Sequence, residues 1–175
     1  MINSLAQLIA VRIKLVVPDH PASVNVLRYS ISFFLNALFI ILLSLLIALL
    51  THRVPEAGIV LVAFAALRQV SGGAHLKSGT LCVVVSTAII TVLSFMSFMN
   101  DSSILWTNLA SLLLVSLFAP SRIEQQTRIK ETYYPLLKIL SIVMVGSNFL
   151  IGSSVLAATF LAQSLTLIRQ VPGRR

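Results

Sequence analysis

From residue 29 onward, long uncharged apolar runs alternate with short polar and basic stretches. Residues 29–50 are 22 positions without a charge. At about 1.5 Å per residue they make a helix of roughly 33 Å, enough to cross the roughly 30 Å of hydrocarbon in a bilayer. Residues 79–99 are equally clean, and 104–119 form a shorter run stopped by Pro120. Only 11 uncharged residues lie between Glu56 and Arg68. A span over 54–70 must therefore snorkel its ends or enter the membrane as a re-entrant element. Residues 139–168 carry no charge over 30 positions, about 45 Å as one helix, which exceeds the bilayer unless strongly tilted. The clusters Gly146-Ser147-Asn148 and Gly152-Ser153-Ser154 offer turns, so a hairpin of 136–151 and 153–169 is predicted.

The first 17 residues follow a different pattern. Ile2, Leu5, Ile9, Ile13 and Val16 recur at helical spacing, while Asn3, Gln7 and Lys14 share another side. This predicts a helix lying on the membrane, with Arg12 and Lys14 toward the headgroups and Pro18 and Pro21 ending it; an ordinary packing helix is the alternative. The expected fold is all-α: one polytopic membrane domain over 1–175, with an amphipathic interfacial helix (1–17) and about six spans (29–50, 54–70, 79–99, 104–119, 136–151 and 153–169). Basic residues orient it, because cytoplasmic segments carry the excess of Lys and Arg. With both termini inside, 12 of the 13 basic residues are cytoplasmic and only Arg53 is outside. A five-span arrangement would place Arg169, Arg174 and Arg175 on the outer side.

Composition then excludes a soluble domain: 57% hydrophobic and 10% charged residues, with a mean hydropathy of +0.97, against about 45–50% and 25% in soluble proteins. The net charge of +8 is scattered between apolar runs, which suits an anionic cytoplasmic leaflet better than nucleic acid. One cysteine, Cys82, forbids an internal disulfide, and with three histidines it is a poor zinc inventory. No metal and no cofactor is expected. Since the first strongly apolar run begins only at Tyr29 and no cleavage pattern follows it, the N-terminus is expected to be retained.

Chemistry concentrates in residues 67–82, LRQVSGGAHLKSGTLC, which hold Arg68, Gly72, Gly73, His75, Lys77, Gly79 and Cys82. Polar residues at membrane depth mark functional sites. The glycines predict a tight loop between the second and third spans, with Gly79 opening the third. A thiol becomes a nucleophile when a base takes its proton or when positive charge and a helix N-terminus favour the thiolate. His75, Lys77 and Arg68 are the candidates around Cys82. On one straight helix His75 and Cys82 would be about 10.5 Å apart along the axis, so the loop must fold His75 back. Read this way alone, the residues leave two outcomes open: a thiol site, or a small buried cysteine beside interfacial polar residues. Arg68 can equally be a snorkelling anchor, and Lys77 a positive-inside charge.

Arg68, the Gly72-Gly73-Ala74-His75 run and Cys82, with Arg, His and Cys recurring every seventh residue, resemble the accessory gene regulator B (AgrB) family of membrane cysteine endopeptidases. The N-terminal amphipathic segment, Phe118-Ala119-Pro120 with its following polar loop, and the closing apolar segment before Pro172 extend the resemblance along nearly the whole chain. The resemblance implies Cys82 as nucleophile, His75 as its base and Arg68 as a required residue. Gly72, Gly73 and Lys77 are supporting or substrate-binding candidates, with the glycine amides considered as oxyanion donors. It implies cleavage of a short propeptide in quorum sensing, through an enzyme thioester that cyclises to a thiolactone or lactone, in a bacterial cell membrane with the site loop on the cytoplasmic side. The expected partners are the propeptide, the bilayer and, as one assembly open to the chain, a second copy in a homodimer. The alternatives are a small transporter or peptide exporter, and a scaffold whose basic loop over 121–138 binds a soluble protein.

Overall fold

The computed structural model describes residues 2–19, 21–73, 78–121 and 130–168, and every regular element in them is helical. In chain order these are α1 (Ile2–Val16), α2 (Val24–Leu50), α3 (Val54–Ser71), α4 (Gly79–Ser94), α5 (Asp101–Phe118), a 3₁₀ turn (Glu131–Tyr133) leading into α6 (Tyr134–Ile151), and α7 (Ser154–Leu165). Four are long and apolar enough to cross a membrane: α2, α3, α5, and α6 with its preceding turn. Helices α4 and α7 are apolar but shorter.

Local chemistry explains where the helices begin and end. Asn100 caps α5 by accepting Ser103 N–H at 2.9 Å, so that helix starts three residues before the apolar run. Ser23 caps α2, which begins at Val24 and takes in Arg28. Helix α4 stops at Ser94, short of the apolar run to 99. Beyond it Phe95 and Met96 turn back onto Val92 and Leu93 carbonyls at 3.1 Å each, and Arg53 stacks on the Phe95 ring and donates to Ser97 Oγ. Helix α3 is continuous over 18 residues, with Pro55 in its first turn, where its missing N–H costs nothing.

The 30-residue uncharged stretch is two helices, and the break falls at the second of the two glycine clusters. Asn148 determines the place. Its Nδ2 donates to Ser153 O and to Asn108 Oδ1 on α5, and its Oδ1 accepts Ser153 N–H, all at 3.0 Å. Gly152 turns the chain at φ +68°. Gly146 stays helical inside α6.

Packing is inverted relative to a soluble protein. Ser44, Ser71, Ser94, Ser111, Ser141, Thr159 and Ser164 are buried, whereas Leu50, Leu150, Trp106 and Leu117 face outward. Lipid tails are as apolar as leucine, so helices associate through small residues and hydrogen bonds rather than through burial of large side chains. Most of these hydroxyls bond the carbonyl one turn back in their own helix, as Ser71 does to Leu67 O at 2.7 Å and Thr159 to Val155 O at 2.6 Å. Helix α7 is the hub. It packs on α3, α4, α5 and α6, and Phe160 and Val155 join two apolar clusters built with Leu67 and Val115, and with Val60 and Ile90.

Helix α1 lies against α2 through Ile2, Ala6 and Ala10, and Ser32 Oγ donates to Asn3 Oδ1 at 3.0 Å. The apolar stripe read from the sequence is therefore split. Ile2, Ile9 and Ile13 turn inward, while Leu5 and Val16 are exposed, because the two alanines allow the closest approach to α2.

Asn148→Leu is expected to destabilise the bundle by about 1–3 kcal/mol, since it orphans Asn108 and the Ser153 backbone in a dry interior. Asn108→Leu added to it should cost little more. Denaturation in mixed micelles measures both, and strictly additive losses would contradict the clamp.

Candidate active site

Helix α4 begins at Ser78, whose side chain accepts from Leu81 N–H and whose carbonyl accepts Cys82 N–H at 2.9 Å. Cys82 is thus the fourth residue of α4, in its first turn, where the helix N-terminus presents partial positive charge. Its thiol is half-buried, 4.0 Å from Ser86 Oγ one turn on. Arg68 lies in the last turn of α3, which packs on α4, whose first turn holds Cys82. Two of the three residues spaced by seven are thus carried by two helices packed on each other. His75 and Lys77 lie outside the described residues.

The site is recessed. A Cβ on Gly79 would lie 3.0 Å from Asn36 Oδ1, so α4 opens against the middle of α2. Asn36 is 12 residues past the start of α2, roughly 18 Å along it. The N-terminal half of α2, with α1 against it, reaches beyond the level of Cys82. Helix α7 ends at the same level, since Gln163 in its last turn reaches the end of α3. Helices α4 and α7, the two shorter apolar helices, both end at this level.

The chain leaves α3 through Gly72 (φ +77°) and Gly73 (φ +131°), conformations that favour glycine. The turn is held by hydrogen bonds to its backbone. Gly72 N–H donates to Arg68 O, Gly73 N–H to Ser121 O and Ser121 N–H to Ser71 O, each at 2.9 Å. Gln163 Nε2 donates to Gly72 O at 2.8 Å and to Ser71 Oγ at 3.3 Å. Ser71 and Gln163 are fully buried and Ser121 nearly so; leaving one such group unpaired costs about 1–3 kcal/mol. The amides of both glycines are engaged, so the oxyanion donors considered from the sequence are not free ones here. The glycines instead shape the turn between Arg68 and the segment that carries His75.

Asn36, Ser121, Gln163 and Thr166 did not stand out in the sequence. A signal was present for two of them: Asn36 and Gln163 are amides inside uncharged runs, where a polar side chain is costly and has a partner or a function.

No solved structure matches this chain. A protein of Halalkalibacterium halodurans named as AgrB-like is 29% identical over 120 residues, which cover 69% of this chain and 61% of that protein, so the match spans about three fifths of the relative's length. The family described as Accessory gene regulator B matches residues 2–171. With a match along nearly its whole length, the chain belongs to the accessory gene regulator B family.

Proposed function

We propose that this chain is a membrane-embedded cysteine endopeptidase that removes the C-terminal tail of a short quorum-sensing propeptide and leaves a cyclic product. The observation that carries the reading is Cys82 in the first turn of α4, with Arg68 in the last turn of α3 packed on it, in a chain whose family processes such peptides. His75 takes the thiol proton. Cys82 Sγ attacks the scissile carbonyl, the C–N bond breaks, and His75 returns the proton to the departing amine. The acyl group is then a thioester on Cys82. An internal Cys or Ser of the peptide attacks that thioester, forms a thiolactone or lactone, and restores the thiol. Water must be held off for cyclisation to win over hydrolysis, and a site sunk below the end of α2 serves that need. Arg68 places positive charge beside the sulfur and can hold a carboxylate of the removed tail; Lys77, two residues past His75, can share that task.

In this reading the chain crosses the membrane six times with both termini and the site on the cytoplasmic side. The charge pattern supports it, and so does the setting of Arg53, the one basic residue assigned outside. It pairs with Glu56 at 3.0 Å and lies 5.5 Å from the Phe95 ring centre, at the end of the bundle away from Cys82. Helices α4 and α7, about 24 and 18 Å long, then reach only part of the way to the cytoplasmic surface, which forms the recess.

Cys82→Ala should abolish cutting of a co-expressed cysteine-containing propeptide by at least about 10³-fold, and His75→Ala should lower it by about 10²–10⁴-fold. Both variants should still insert. A peptide adduct on Cys82 released by hydroxylamine identifies the thioester; cutting by the Cys82→Ala chain would refute the nucleophile. Arg68→Gln should slow both processing and alkylation of Cys82 by iodoacetamide by about tenfold or more, with Arg68→Lys recovering part of each. Equal alkylation rates in all three chains would remove Arg68 from the thiol's surroundings. Reporters fused at Met1 and Arg175 should both read as cytoplasmic, and a periplasm-type signal from Arg175 would rule out the hairpin as two full crossings.

A further inference from the structure

The buried polar groups of the bundle fall into two populations. On α3, α5, α6 and α7 the buried amides and hydroxyls are hydrogen-bonded. Among the described residues, the buried side-chain atoms without a partner are Gln7 Oε1, Asn36 Oδ1, Ser44 Oγ, Thr87 Oγ1 and Thr91 Oγ1. All of them lie on α1, α2 and α4. We propose that the seam between α2 and α4 takes in the backbone of the propeptide at its Cys82 end, with Asn36 binding that backbone beside the nucleophile; this rests on the peptidase reading above.

The seam is fastened at one end only. Away from Cys82, Arg53 follows α2, donates to Ser97 Oγ at 3.1 Å and lies 5.5 Å from the Phe95 ring centre, so the exit of α2 is tied to the exit of α4. Along the helices themselves, among the described residues, the side-chain hydrogen bonds of α2 stay within it or go to Asn3 on α1, and those of α4 stay within α4. Other neighbours are stitched together, α5 to α6 by Asn108 and Asn148, and α3 to α7 by Ser71 and Gln163. A seam pinned at one end and unstitched along its length parts at the other. That other end is where Asn36 lies against Gly79, one turn before Cys82.

The unpaired groups suit what an entering peptide brings. At membrane depth its backbone N–H and C=O groups lose water and need partners. The Asn36 amide offers an acceptor oxygen and two N–H donors, the complement of a backbone peptide unit. It lies edge-on to the first turn of α4, since a Cβ on Gly79 would be 3.0 Å from its Oδ1 and 3.1 Å from its Nδ2. Residues four apart share a helix face. From Asn36 that face of α2 runs through Ile40, which packs against Val60 and Ile90, to the buried Ser44. From Gly79 the matching face of α4 runs through Val83 to Thr87, both buried. Each run is about 12 Å long, the length of about four extended peptide residues. Ser44 and Thr87 lack the bond to their own helix that Ser71 and Thr159 make. In the closed seam these atoms cost stability, and a bound peptide gives them partners.

The test uses the full chain in lipid nanodiscs and synthetic peptides spanning the cleavage site of a propeptide on which Cys82-dependent processing has been established. It reads kcat, KM, the unfolding midpoint and the number of Cys82 thiols labelled per chain by a maleimide. Asn36→Leu keeps the branched shape and removes the polar atoms. Its KM should rise about 3–10-fold with kcat per labelled thiol within about twofold, and its midpoint should stay or rise. Thr87→Val should raise KM about two- to fivefold, again without lowering the midpoint, because an apolar group replaces an unpaired buried one. Peptides with one backbone N–H near the scissile bond replaced by an ester oxygen locate the contact. At one position the ester should raise the wild-type KM about 3–10-fold and leave that of Asn36→Leu unchanged. Wild-type KM in Asn36→Leu overturns the proposal. So does a raised KM accompanied by a lowered midpoint or lost labelling, which marks a packing residue, and so does a change confined to kcat. Ester penalties that are the same in both chains at every position overturn it as well. If Asn36→Leu does not accumulate in the membrane, Thr87→Val decides, and wild-type KM there overturns the proposal. A dead Cys82→Ala chain beside wild-type KM in Asn36→Leu sinks this inference alone; a Cys82→Ala chain that still cuts sinks the peptidase reading, and this one with it.

Discussion

A backbone N–H or C=O inside hydrocarbon has no water to turn to, and each one left alone costs several kcal/mol. That constraint decides where this chain can change direction. It turns at Gly152 because Asn148 supplies both an acceptor and a donor to Ser153. It leaves α3 at Gly72 because Ser121 and Gln163 take up the groups that the helix end releases. Even the buried hydroxyls obey it, most of them by bonding back into their own helix.

The same scarcity of water shapes the packing. Apolar burial drives little association in lipid, so many large side chains face outward, and serines, threonines and a few amides share the interior with the two apolar clusters. Helix α7 shows the result in 12 residues: it buries Val155 and Phe160 among apolar neighbours and Thr159, Gln163 and Ser164 beside them. A helix surrounded by four others can afford polar atoms, because each finds a partner within reach.

Cys82 sits in the first turn of α4, and Arg68 in the last turn of α3, the helix packed on it. Both residues are carried by helices rather than by a loop. At the other end of the bundle the Arg53 charge is answered by Glu56, Ser97 and the Phe95 ring. The two ends therefore differ: a carboxylate neutralises Arg53 at one, while Arg68 and Cys82 lie at the other.

Much of this protein could be read from residue order alone, because hydrophobicity and helix length are properties of contiguous sequence. The all-helical character, the apolar runs that become α2, α3, α5 and α6, the stop at Pro120 and the family signature of Arg68, Gly72, Gly73, His75 and Cys82 are all local patterns. Helix ends were less legible where a cap outside the apolar run sets them, as Asn100 and Ser23 do. The break between 151 and 153 was predicted from the sequence, but its physical cause was not legible there, because Asn148 is held by Asn108, 40 residues away and 3.0 Å from it. The direction that α1 faces depends on Ala6 and Ala10 meeting α2, which no periodicity encodes. The role of Gln163 was hidden for the same reason. Its meaning lies in a carbonyl 91 residues earlier in the chain, and only the packing of α7 against α3 brings donor and acceptor together.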